Sequence, residues 1–565
     1  MFFESEAPKP FVQMPNSSGH LQAGFGRAPV EPFLVMPRMA RGGLAAILVA
    51  LGLLLPPVPV AAGDPDCLDE VGGINLQTAT VLDLQEAMSR EEDPLTSEQL
   101  VARYLERIAF FDTSGPELNS VRAVHPQALE QARALDAERA AGNVRGPLHG
   151  VPILLKDNIG TADMPTTAGS IALKDSLPIR DAFVTERLRE AGAVILGKTN
   201  LSEFANWVDL SMPSGYSSLG GQVINAYRFS DTPSGSSSGS GVAGSMALTS
   251  AALGTETSGS IISPSFANSL VGIKPTLGLH SRAGIIPLAP SFDVPGPMAR
   301  NVTDAAVVLG AMTGVDPRDP ATSAQVGHVP PGGDYTPALD DGRLLGARLG
   351  VDPDDRPSGE AGTLWDRALT DLRAAGAEIV AIDLLKEGAN VGLTEIAAIP
   401  NEFKASLNAY LAEQPVPPSG VRTLSDIIEY NEQHPEEVQY GQNLLIASDA
   451  TPGNMTVGEP NRVAAVEGSR AAINQAFLRY DLDAVVSFNS QYVNVGAAAG
   501  YPTITIPTGY TSNGRLPRNL SFLGMAWDEP ELIGFAYAYE QISKRRVPPT
   551  AVNPALFPNG CTPPE

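Results

Sequence analysis

The sequence predicts an α/β fold built around a buried, largely parallel or mixed β-sheet. Three observations carry that reading: apolar runs of strand length, amphipathic segments of helical spacing between them, and two helices that pass through a glycine directly into an apolar run. The first helix starts at Thr96, where a hydroxyl followed three residues later by the Gln99 amide makes a capping box. Behind it Leu100, Val101, Tyr104, Leu105 and Ile108 fall on one face. A second helix follows His125-Pro126 and carries Ala128, Leu129, Ala132 and Leu135. Val151 to Leu155 is an apolar run that ends at Lys156 and reads as a buried strand. Asp181 to Glu190 reads as helix and leads through Gly192 into a strand at Ala193 to Leu196; the same unit recurs from Leu364 through Gly376 to Ile382. Ala484 to Val486 and Thr503 to Ile506 are further strands. Stretches rich in Pro, Gly and Asp interrupt the pattern near residues 318–340, 413–420 and 449–460, but strand-like segments continue on both sides, so one wound domain with surface excursions is expected.

Composition narrows the function. The 565 residues carry 38 bases and 63 acids, net −25, so a polyanion would be repelled and nucleic acid is not an expected partner. The two cysteines and six histidines form no Cys-x-x-Cys or His-Glu-x-x-His run, and no metal site is predicted. Apolar residues make up 43% of the chain, enough for a sizeable core.

The N-terminal region reads as a targeting segment. Arg38 and Arg41 precede an uninterrupted apolar run from Leu44 to Leu55, and Val60-Ala61-Ala62 follows three prolines. A basic flank, a short apolar stretch and a small-residue site make a secretory signal peptide. The run is too short for a bilayer, which takes about twenty residues; an uncut membrane anchor is the other reading. Translation is expected to start at Met36 or Met39, with residues 1–62 (an upstream extension and the signal peptide) removed and 63–565 forming a single domain. The mature chain, with 34 bases and 60 acids, is net −26. It would be secreted or periplasmic, with no stable membrane association after cleavage. An oxidising compartment permits a disulfide between Cys67 and Cys561, which would tie both ends to one body; two separate thiols are the alternative.

The least ordinary stretch is Asp231-Thr-Pro-Ser-Gly-Ser-Ser-Ser-Gly-Ser-Gly-Val-Ala-Gly244, followed by a small-residue apolar segment, Met246 to Leu253, and a second Gly/Ser turn, Gly254 to Ser265. Composition alone would make the first run a linker. Two such turns around a buried segment instead fit loops whose backbone must approach a reacting group closely. Gly239-Ser-Gly241-Val-Ala-Gly244 matches a dinucleotide fingerprint, and Gly235-Ser-Ser237-Ser-Gly239 matches a nucleophile elbow. Neither has an apolar strand before it, so both lack their structural context.

Across residues 75–548 the chain resembles the amidase signature family of serine amidohydrolases. Gly146-Pro-Leu-His-Gly-Val-Pro-Ile-Leu-Leu-Lys156-Asp-Asn158 is similar to that family's lysine motif, Thr232 to Ala243 to its Gly/Ser signature, and Gly254 to Pro264 to its nucleophile loop. Gly272 to Gly278, Gly296 to Arg300 and Ala499 to Pro502 fit as well, as do the spacings of 80 residues from Lys156 to Ser236 and 24 from Ser236 to Ser260. Gly220-Gly-Gln-Val-Ile-Asn225 and the triple serine 236–238 bring it nearest to bacterial peptide amidases.

The resemblance implies one large mixed sheet covered by helices on both faces, with an excursion at 385–460 over the cleft. It implies an amidase, cleaving a carboxamide C–N bond of a small-molecule or peptide amide, a C-terminal peptide amide being one candidate, and needing no metal or organic cofactor; the signal peptide adds export. By carry-over Ser260 is the nucleophile, Ser236 a bridging serine preceded by a cis peptide bond, and Lys156 the base. Thr257, Ser258, Gly259 and Ser260 would supply oxyanion N–H groups, and Asp157 and Asn158 would orient the lysine loop. The chemistry is coherent: a serine hydroxyl needs a base, and lysine is one only when burial keeps it neutral. The chain departs from the family at Ser234 to Gly239, Tyr216, Ser258 and Val294, and two of these, 216 and 258, are expected near the substrate. A non-catalytic binding protein on the same fold and a Ser–His–Asp esterase using His149 remain the other readings. The amidase subunit of the tRNA-dependent amidotransferase is opposed by the signal peptide and the net charge.

Overall fold

The computed structural model describes residues 68–383 and 391–557. The signal peptide, Cys67 and Cys561 lie outside the described residues. Among those described, eleven strands join into one sheet: β1 Val121–Val124, β2 Pro152–Lys156, β3 Val194–Thr199, β4 Ala251–Glu256, β5 Val271–Lys274, β6 Val294–Ala299, β7 Arg348–Val351, β8 Glu378–Ala381, β9 Ala484–Phe488, β10 Thr503–Thr511 and β11 Leu516–Leu523. Their spatial order is β8-β7-β9-β11-β10-β5-β6-β4-β2-β3-β1. The sheet is mixed. β4, β2 and β3 run parallel, as do β8, β7 and β9, whereas the strands from β9 through β4 pair antiparallel and β1 closes one edge antiparallel to β3.

Successive side chains of a strand point to opposite faces, and every residue of β2, β3 and β4 is buried, so both faces of this part of the sheet are covered. The capping box is made: the Gln99 N–H donates to Thr96 Oγ1 at 3.1 Å and the Thr96 N–H to Gln99 Oε1 at 2.9 Å, starting the helix α1 Ser97–Arg107. The helices α2 Ala128–Ala140 and α3 Phe183–Glu190 follow the expected segments. Strands β2, β3, β8, β9 and β10 also lie where apolar runs placed them.

Two elements could not be read locally. The Gly/Ser run forms a buried helix, α4 Ser238–Ser245, although serine and glycine are weak helix formers. Close packing explains the composition: a Cβ on Gly239 would lie 2.3 Å from the carbonyl oxygens of Asn200 and Ser120. Strand β6 reads Val-Pro-Gly-Pro-Met-Ala, yet sits inside the sheet. Its prolines are tolerated because β6 pairs with β5 only through Met298 and Ala299, beyond both of them.

Candidate active site

Strand β2 carries Lys156 at its C-terminal end into the interior, where the side chain is fully buried. Burial lowers its pKa from 10.5 to about 7, against the opposing attraction of Asp293 and Glu256. The Lys156 Nζ lies 2.8 Å from Ser236 Oγ, 3.1 Å from the Thr255 carbonyl oxygen and 2.9 Å from Thr255 Oγ1. A neutral amine has two N–H donors and one lone pair. In the neutral form, donation to the two Thr255 oxygens leaves that lone pair for the Ser236 hydroxyl, the arrangement a base requires; as the ammonium, Nζ donates to all three oxygens. Asn158 Nδ2 also donates to Thr255 Oγ1, at 2.9 Å, so Asn158 fixes the threonine that fixes the lysine. Asp157 instead accepts from Thr167 and pairs with Arg122, tying down the loop behind the strand.

Ser236 follows a cis Gly235–Ser236 peptide bond. A Cβ at Gly235 would come within 2.5 Å of Ser202 Oγ, so a larger residue there would displace the Ser202 hydroxyl. The next residue locks the loop onto β4: Ser237 Oγ donates to the Thr255 carbonyl at 3.1 Å and accepts the Thr255 N–H at 3.2 Å. The central serine of the elbow-like motif is therefore a strut. The three glycines of the fingerprint-like motif sit inside buried α4, packed against Asn200, Asn268 and Leu270.

Ser260 stands between β4 and the short helix α5 Ile262–Ala267. Its carbonyl accepts the Ser237 N–H at 3.3 Å, so the two serine loops are joined through the backbone. Among the described residues Lys156 contacts Ser236 and no hydrogen bond joins Ser236 Oγ to Ser260 Oγ; Ser236 and Ser260 line the same cleft wall. Glu256 accepts the N–H groups of Ile261 at 2.6 Å and Ile262 at 2.9 Å and so shapes the loop that carries Ser260. Gly259 supplies the turn, with φ +84°. Thr257 Oγ1 donates to Asp293 at 2.6 Å, and Ser258 Oγ lies 3.2 Å from both Glu395 Oε2 and Asn494 Oδ1.

Ser236, Ser258 and Ser260 open into a cavity of about 320 Å³, whose wall includes Ile396, Ile399 and Leu444 from the 385–460 stretch. A second cavity of about 260 Å³ lies on the Asn158 and Thr255 side of the lysine and shares Thr257 and Leu288 with the first. Of these two cavities, the first is lined by both Ser236 and Ser260 and the second by neither. Tyr216 is not in its wall; its ring packs edge-on against Tyr440, and its hydroxyl donates to the Glu437 carbonyl. His149 is committed elsewhere, with Nε2 donating to the Leu135 carbonyl at 3.0 Å and Nδ1 accepting the Arg145 N–H. Thr255, Glu395 and Asn494 were not singled out from the sequence, where no local pattern marks them.

The family model described as Amidase matches residues 99–487. A probable amidase of Arabidopsis thaliana is 43% identical over 490 residues, spanning 84% of this chain and 92% of its own. Among solved structures, native peptide amidase from Stenotrophomonas maltophilia is 43% identical with a TM-score of 0.78, over 84% of this chain and 98% of that one. An amidase family protein from Bacillus anthracis str. Ames is 38% identical with a TM-score of 0.79, over 84% and 92%.

Proposed function

This chain belongs to the amidase family and hydrolyses amide C–N bonds, and from that premise we propose the residues and the steps by which it does so. Lys156 is the base, Ser236 the bridge and Ser260 the nucleophile. The proton of Ser260 passes to Ser236 as the Ser236 proton passes to Nζ, while Ser260 Oγ attacks the amide carbonyl. Backbone N–H groups between Thr257 and Ser260 meet the oxyanion, and one such donor lowers the barrier by about 3–4 kcal/mol. The relay then returns the proton to the leaving nitrogen, the C–N bond breaks, and ammonia or an amine departs from an acyl-enzyme on Ser260. Water attacks that ester by the same relay and releases the acid and the free serine.

One observation carries the reading: a buried lysine whose Nζ lies within hydrogen-bond distance of the Ser236 hydroxyl and of both Thr255 oxygens. The substrate is a small-molecule or peptide amide. A C-terminal peptide amide is foremost, because the neighbour from S. maltophilia is a peptide amidase at 43% identity. The described part of the 385–460 excursion, residues 391–460, covers the cleft in this reading, supported by the side chains it lends the wall. A panel of amidated peptides, aliphatic amides and aryl anilides, read by ammonia or amine release, tests it. Ser260→Ala should fold normally, fail to react with a fluorophosphonate probe and release nothing; retained turnover would eliminate the mechanism and restore a binding role or another nucleophile.

Export completes the proposal, on the strength of the basic flank, apolar run and small-residue site before Gly63. N-terminal sequencing of protein from the producing cell should begin near Gly63, outside the cytoplasm. A terminus upstream of the apolar run would mean that the segment is kept as an anchor.

A further inference from the structure

Glu395 lies on the helix Val391–Glu413, is 1% exposed and lines the cleft beside Ser258. Its Oε2 is 3.2 Å from Ser258 Oγ, and its Oε1 is buried without a hydrogen-bond partner. A buried polar atom left in this state is destabilising, and its persistence beside a reaction site is what a ligand-completed site looks like. A proton count favours one form of the carboxyl. Ser258 Oγ is equally close to Asn494 Oδ1, and a hydroxyl carries one proton for two acceptors. With the Asn494 amide in this orientation, a protonated Glu395 makes both contacts full hydrogen bonds, Glu395 donating to Ser258 and Ser258 to Asn494, where a carboxylate would leave them to share one proton. Burial pushes this carboxyl up to about 8, in keeping with that count. The free Oε1 is then a neutral acceptor, one side chain away from the loop that meets the oxyanion.

We propose that Glu395 determines specificity: its Oε1 accepts an N–H from the substrate, so that amides bearing an N–H donor next to the scissile carboxamide are selected over those without one. The proposal rests on the amidase mechanism above and adds the chemical class that the cleft prefers. Amino-acid and peptide amides carry such a donor in the backbone N–H that precedes the terminal carboxamide; simple aliphatic amides do not.

The test uses the full-length mature enzyme and a matched substrate pair, an N-acetyl amino-acid amide and its depsi counterpart with oxygen in place of the N–H, with ammonia release read as kcat/KM. The wild type should favour the N–H substrate by roughly 10- to 100-fold, the loss expected when a buried acceptor goes unpaired. Glu395→Leu should bring the ratio close to one while fluorophosphonate labelling of Ser260 continues. Glu395→Gln keeps a neutral acceptor and a donor to Ser258, and should retain the preference. A wild-type ratio near one, a Glu395→Leu variant that discriminates as the wild type does, or a Glu395→Gln variant that behaves like Glu395→Leu would each overturn the proposal. Should Glu395→Leu fail to fold, the wild-type and Glu395→Gln ratios still decide. Failure of the wild type to release ammonia from any amide would instead strike the mechanism beneath it, and is distinguished because no substrate is spared.

Discussion

Replacing Lys156 by methionine separates what the buried amine does for catalysis from what it does to stability. Nζ titrates at about 7 in the folded chain against 10.5 in the open. Between those values the unfolded chain holds more protons than the folded one, so stability rises with pH across that window. The linkage costs the native state about 4 kcal/mol at pH 7 and about 1 kcal/mol at pH 9.5. Methionine removes this cost, and with it the three contacts to Ser236 and Thr255, each worth about 1 kcal/mol and insensitive to pH. The stability of Lys156→Met relative to wild type should therefore be greater at pH 7 than at pH 9.5, by about 3 kcal/mol. Lys198, equally buried and also held at about 7, titrates in both proteins and cancels. Urea unfolding followed by tryptophan fluorescence at the two pH values measures the difference, and ammonia release should be lost at both. A pH-independent difference, or one that grows in the variant's favour as pH rises, would show that the lysine is charged in the native state and that the base is misassigned.

Wild-type kcat/KM should fall about tenfold per pH unit below an acid limb near 7, and Asp293→Asn should move that limb to lower pH, since Asp293 is the foremost charge holding the lysine pKa up; a limb that stays put or moves upward counts against the assignment. His149→Ala should leave kcat within about threefold of wild type while costing about 1–3 kcal/mol of stability, because the ring's bonds to Leu135 and Arg145 are structural. A loss of turnover as deep as that of Ser260→Ala would return the esterase reading to contention.

Much of the sheet was legible because its strands are apolar runs bounded by glycine, as in β2, β3 and β9. Strand β6 was not, since Pro295 and Pro297 argue against a strand until the partner on one side is seen to stop short of them. Helix α4 was not, since a Gly/Ser run is helical here only under close packing from Asn200, Ser120, Asn268 and Leu270. In the site, Lys156, Ser236 and Ser260 stood out by motif and spacing, whereas Glu395 occupies an unremarkable place in a long helix.

The amino-acid order by itself determined the α/β class, the acidic character, the signal-like N-terminal run, and the lysine and two serines to which the chemistry is assigned. These are properties of local periodicity, composition and spacing along the chain. Tertiary structure alone decided that Thr255, 99 residues from Lys156, meets its Nζ with two oxygens, and that Glu395, 137 residues from Ser258, lines the cleft with one carboxyl oxygen buried and unpaired. Hydrogen-bond partners and desolvation are set by which distant segments the sheet and its covering helices bring into contact, and no window of neighbouring residues contains that information.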